Sequence, residues 1–110
     1  MEWAPFDTGS TVGQRGSEDG TILRDEEHEL GARITLERDT RHTPFAITCG
    51  IYGWMFHTRF LGPEAEADFD RMKDALSAIL VTIPMADDPE AEQKMAPVTE
   101  AISAFVDRFP

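Results

Sequence analysis

From Thr21 onward the chain alternates. "TILRDE" and "ARITLERD" set Ile22, Ile34 and Leu36 among charged neighbours, a period of two that predicts half-buried antiparallel strands. Between them the acidic "DEEHELG" (25–31) reads as a hairpin tip, with Gly31 as its permissive backbone position. "DTRHTP" (39–44) reads as the next turn, because Pro44 keeps Thr43 extended. The aromatic-rich "FAITCGIYGWMFHTRFLG" (45–62) then predicts a second hairpin.

The parity of that hairpin decides its chemistry. A two-residue turn at Tyr52-Gly53 sets Ile51 opposite Trp54, Cys49 opposite Phe56, Ile47 opposite Thr58 and Phe45 opposite Phe60. A turn at Ile51-Tyr52 keeps the same faces, whereas a three-residue loop reverses them. In the even-loop registers one face is nearly all apolar and holds Cys49. The other carries Ala46, Thr48, Met55, His57 and Arg59. A Cys–His nucleophile needs thiol and imidazole within about 3–4 Å, so the even-loop registers forbid it and a three-residue loop would restore it.

The period then lengthens. Pro63 suits a first helical position, and Glu64, Glu66 and Asp68 complement the positive end of a helix dipole. Phe69, Met72, Leu76, Ile79, Leu80 and Ile83 recur at three- and four-residue steps, and Pro84 ends that helix. Asp88 and Pro89 predict the start of another, which Pro97 should break or kink. Beyond it Val98, Ala101, Ile102, Phe105, Val106 and Phe109 form a second apolar stripe. Residues 1–20 carry glycine and proline breaks among small polar residues and read as an irregular arm, whose front Trp3 and Phe6 are suited to pin to the domain or to a second subunit; residues 21–110 form one domain. The expected fold is therefore α+β: a four-stranded antiparallel meander followed by two C-terminal helices packed on one face, in two layers.

Composition narrows the function. At 110 residues the chain suits one domain with a single core. A net charge of −11 opposes phosphate backbones and argues against nucleic acid as a partner, while favouring basic partners. One cysteine rules out an internal disulfide and any CxxC framework, which points to a reducing, cytoplasmic setting. The start shows no signal-peptide pattern and the longest apolar run, "AILVTIPMA" (78–86), is too short for a membrane span, so no membrane role is expected.

Candidate chemistry is sparse. Cys49 reads as a small buried hydrophobe. Asp25, Glu27 and His28 are weak metal candidates: along a strand Asp25 and Glu27 project to one side and His28 to the other, so they scatter rather than converge. Thr48, His57 and Arg59 share a face and are the ligand or interface candidates, since Arg59 suits a carboxylate and imidazole is the side chain most able to switch charge. No GxGxxG or GxSxG pattern occurs, no catalytic residue stands out and no cofactor is called for. The expectation is a non-enzymatic binding or regulatory module of the bacterial small-protein type, acting through protein contacts as a homodimer or on a basic partner in the manner of an inhibitor or antitoxin. The alternative is binding of an anionic metabolite at the His57–Arg59 face or between sheet and helices.

Overall fold

The structure, a computed structural model, describes residues 3–110. Its sheet has five strands, not four: β1 (Trp3–Pro5), β2 (Thr21–His28), β3 (Ala32–Arg38), β4 (Phe45–Ile51) and β5 (Met55–Leu61), in that spatial order and antiparallel throughout. Two helices follow, α1 (Ala65–Leu80) and α2 (Ala91–Arg108).

The additional strand lies inside the expected irregular arm. Three residues are too few to show alternation, and pairing rather than pattern makes them a strand. Trp3 faces His28 across β1–β2, their rings edge-on at 5.0 Å, and the indole Nε1 donates to Ser77 Oγ on α1 at 2.8 Å. Pro5 is tolerated because β1 is an edge, where no outward N–H is required. The chain then leaves the sheet through a 3₁₀ turn at Phe6–Gly9, with Asp7 and Thr8 in left-handed backbone. It returns to β2 further on, where Gln14 accepts from the Ile22 amide and Arg15 bridges Thr21.

The acidic "DEEH" is not at a hairpin tip: β2 runs through His28, and the reversal occupies residues 29–31, with Gly31 at φ 108°. One face of the sheet carries Ile34, Leu36, Ile47, Cys49 and Ile51, all buried beneath α1, whose Phe69, Met72 and Leu76 are fully buried. The apolar stripe of α1 thus meets the alternating positions of β3 and β4, the expected two-layer arrangement. Helix α2 packs on α1 and brings Phe105 edge-on to His57. Pro97 neither breaks it nor marks its start: α2 is one helix from 91 to 108. The carbonyl deprived of a backbone donor, that of Gln93, lies on an exposed turn rather than in the core, where an unpaired carbonyl would cost most.

Candidate functional site

The β4–β5 hairpin closes on three residues, Tyr52-Gly53-Trp54, with Gly53 at φ 82° and the Trp54 amide donating to Ile51 O at 2.9 Å. This overturns the two-residue turn and with it the expected parity. Phe45 pairs with Leu61, Ile47 with Arg59, Cys49 with His57 and Ile51 with Met55. Directly opposed residues share a face, so Cys49 and His57 lie on the same side, beneath the helices. Phe56, Thr58 and Phe60 lie on the other face with Ala46, Thr48 and Gly50.

The thiol and the imidazole, though opposed, are committed elsewhere. Cys49 is 1% exposed, and burial pushes its pKa up to about 12, so it stays protonated. The Nε2 of His57 lies 2.6 Å from the Phe109 carbonyl oxygen. Arg59 donates through Nε and Nη2 to Asp68 Oδ2 at 3.2 and 2.9 Å, and through Nη1 to the Pro110 carbonyl. Arg71 also bonds Asp68. Burial of Asp68 opposes its charge, but the two guanidiniums outweigh that and hold its carboxyl below the ordinary carboxylate range. His57 and Arg59 therefore tie β5 to α1 and to the end of α2, while Thr48, expected beside them, projects from the opposite face and meets Thr58 Oγ1 at 3.3 Å.

The metal candidates are also divided. His28 is buried on the helix side, its Nδ1 accepting from the Leu30 amide at 3.0 Å, whereas Asp25 and Glu27 are on the other face. Among the described residues no three His, Cys, Asp or Glu side chains form a group able to hold a metal ion.

On the face away from the helices, two carboxylates anchor the arm. Asp25 is buried and receives four donors: Arg33 Nε and Nη2 at 2.9 and 2.7 Å, Thr35 Oγ1 at 3.0 Å and Thr11 Oγ1 at 2.8 Å. Burial opposes its charge, yet these bonds hold its pKa below the ordinary value. Phe6 of the arm lies over the Arg33 guanidinium, 3.5 Å from ring centroid to carbon. Glu37 is wholly buried and accepts from the Glu18 and Gly20 amides at 3.2 and 3.1 Å. Gly16 makes this approach feasible, since a Cβ there would lie 2.2 Å from the Glu37 side chain.

Between these anchors the arm roofs a cavity of about 550 Å³ whose floor is Arg33, Thr35, Thr48 and Gly50, and whose mouth is Tyr52 and Phe56. Tyr52 donates to Glu27 Oε2 at 2.7 Å; burial and that bond push the phenol up to about 12, so it remains a donor at neutral pH. Among the described residues the far edge of the sheet, β5, has no neighbouring strand on its outer side, and Phe56 and Phe60 are 77% and 48% exposed along it.

The sequence signalled Thr48 in this region. It gave no signal for Arg33, Glu37 or Gly50, whose roles depend on an arm that carries no periodic pattern. The chain matches no family of known proteins, no curated protein and no solved structure. Among the described residues, no helix is long and apolar enough to cross a membrane.

Proposed function

We propose that this protein is a binding and regulatory module that works through protein contacts rather than turnover, and that its first partner is a second copy of itself joined along β5. The observation that supports this is the open β5 edge with two exposed aromatic side chains on one face. An unpaired strand presents a row of amide and carbonyl groups, and natural edges are usually blunted by charge, proline or a cover. On the open face β5 offers only Phe56, Thr58 and Phe60. Antiparallel pairing about a two-fold axis at Thr58 would set Phe56 of each copy opposite Phe60 of the other, a self-complementary arrangement. The acidity of the whole chain, −11, suits a basic protein as the further partner.

An anionic ligand on His57 and Arg59 is the weaker reading, because Asp68 and the Phe109 carbonyl already hold those groups. Light scattering on size-separated protein tests the preferred one. The native chain should run as a dimer at micromolar concentration, and Thr58→Lys and Phe60→Lys should run as folded monomers by circular dichroism. A native chain that is strictly monomeric from micromolar upward, with no protein retained in pull-downs, overturns it.

A further inference from the structure

We infer that the cavity beneath the arm is a binding site for a small amphipathic carboxylate, an anion carrying an aromatic or alkyl body. This goes beyond the contact reading and rests on the opposite end of the open face from the Thr58–Phe60 segment.

The cavity exists for a reason visible in the register. Across the open face Arg33 of β3, Gly50 of β4 and Phe56 of β5 are successive cross-strand partners. The middle one has no side chain, so a notch opens between a guanidinium and an aromatic ring. A Cβ at Gly50 would approach the Met55 carbonyl oxygen to 3.2 Å, tighter than ordinary contact, so the backbone itself favours leaving this position bare. The arm roofs the notch, held at one end by Thr11 on Asp25 and at the other by the Glu18 and Gly20 amides on Glu37. The volume, about 550 Å³, falls within the rough 300–1,000 Å³ range of small-molecule pockets.

Charge identifies the ligand class. The chain carries 21 acidic and 10 basic residues, yet the cavity lining includes Arg15 and Arg33 and not one Asp or Glu. Asp25 neutralises Arg33 from behind with a side chain 0% exposed, and Glu27, opposite Arg33 on the same face, is engaged by the Tyr52 hydroxyl at the mouth. Arg33 spends Nε and Nη2 on Asp25, and Nη1 makes no hydrogen bond among the described residues. Its plane is fixed by Phe6, which orients the remaining N–H groups without further ordering cost. Arg15 stands at the rim, its side chain 78% exposed and only 3.6 Å from Asp19 at its nearest. Ile22 and Phe56 supply apolar surface for the body of the ligand, and the Thr48 hydroxyl adds a polar group on the floor. A carboxylate would lie against the two guanidiniums and the body against Phe56 and Ile22. A cationic or strongly hydrated ligand has no such match.

Titration of ¹⁵N-labelled full-length protein with 3-phenylpropanoate and octanoate, against 3-phenylpropanamide and 3-phenylpropylamine, tests the assignment. The carboxylates should give saturable amide shifts at Thr48, Gly50 and Gly53. The amide analogue should bind on the order of tenfold more weakly, in keeping with loss of a charge-assisted bond, and the amine should not bind. Arg15→Glu should weaken 3-phenylpropanoate by a similar factor, whereas Arg108→Glu, the same charge change on α2, should leave affinity unchanged. Thr48→Val, nearly isosteric, should weaken binding several-fold with the melting point preserved. The inference is overturned if the carboxylates give no saturable shifts at these amides, if the amine binds as tightly, or if Arg108→Glu weakens binding as much as Arg15→Glu. Phe56 borders both the cavity and the proposed β5 seam, so light scattering on the same samples separates a loss of carboxylate binding from a change of oligomeric state.

Discussion

The two faces of the sheet are covered by different means. On one, α1 lays Phe69, Met72 and Leu76 on Ile34, Leu36, Ile47 and Ile51, with ionic contacts such as Arg24–Glu66 and Arg59–Asp68 at the margin. On the other, an arm with little regular structure is held by Asp25 and Glu37, both buried carboxylates. A helix satisfies its own amides and carbonyls, so it can cover a face with apolar atoms alone. The arm brings unsatisfied amides with it, at Glu18 and Gly20, and the sheet beneath must supply acceptors. An irregular cover therefore demands buried polar groups, and the space it fails to fill becomes a cavity.

The largest test of this contrast is Phe69→Ala. The ring is wholly buried with Arg24 above it at 4.2 Å, and its loss should cost about 3–5 kcal/mol of global stability in urea unfolding. Glu37→Gln should cost less, about 1–3 kcal/mol, through a weakened acceptor at two amides. Its effect should be local: amide exchange at Glu18 and Gly20 accelerates while α1 keeps its protection. Equal acceleration in the helix would mean that arm and core unfold as one unit.

The smallest effect at neutral pH lies in the acid limb, where both faces contribute. Asp25 and Asp68 have folded pKa values below the ordinary 3.8, so each adds stability that is fully present above that value and fades as pH falls through the lowered one. Unfolding free energy followed from neutral to acid pH should fall in this window. Asp25→Asn should flatten the fall without removing it, because Asp68 persists under the helices. A pH profile identical to that of the native chain would show that Asp25 is not held as the geometry requires.

Much of the core was legible because β3 and the helices follow simple periods. Ile34 and Leu36 inside "ARITLERD" are buried where alternation puts them, and the α1 stripe from Phe69 to Leu80 is buried as its spacing implies. The parity of the second hairpin was not legible. "CGIYGWMFHTRF" carries apolar side chains at odd positions (Cys49, Ile51, Met55) and at even ones (Trp54, Phe56, Phe60), so either face could be taken as the apolar one, and Tyr-Gly-Trp bears no signature that separates a two-residue from a three-residue turn. His57 and Arg59 look like solvent-facing groups until α1 brings Asp68 to Arg59 and the end of α2 brings the Phe109 carbonyl to His57. Glu37 reads as exposed for the same reason: its burial comes from Gly16 to Gly20, a segment without pattern, packed across it. Pro97 misleads because the cost of interior proline, a lost donor and a crowded carbonyl, does not decide alone: the apolar positions beyond it, Val98 and Phe105, are buried and keep α2 in place.

The three-residue turn at Tyr52-Gly53-Trp54 has a genetic consequence. Losing one codon there would be no local lesion, because it would rotate every β5 side chain through the plane of the sheet. Phe56 and Phe60 would be driven under α1, and His57 and Arg59 expelled toward water, away from Asp68 and the Phe109 carbonyl. Substitutions across the same three residues that preserve Gly53 keep the count and should be far better tolerated than any change of length.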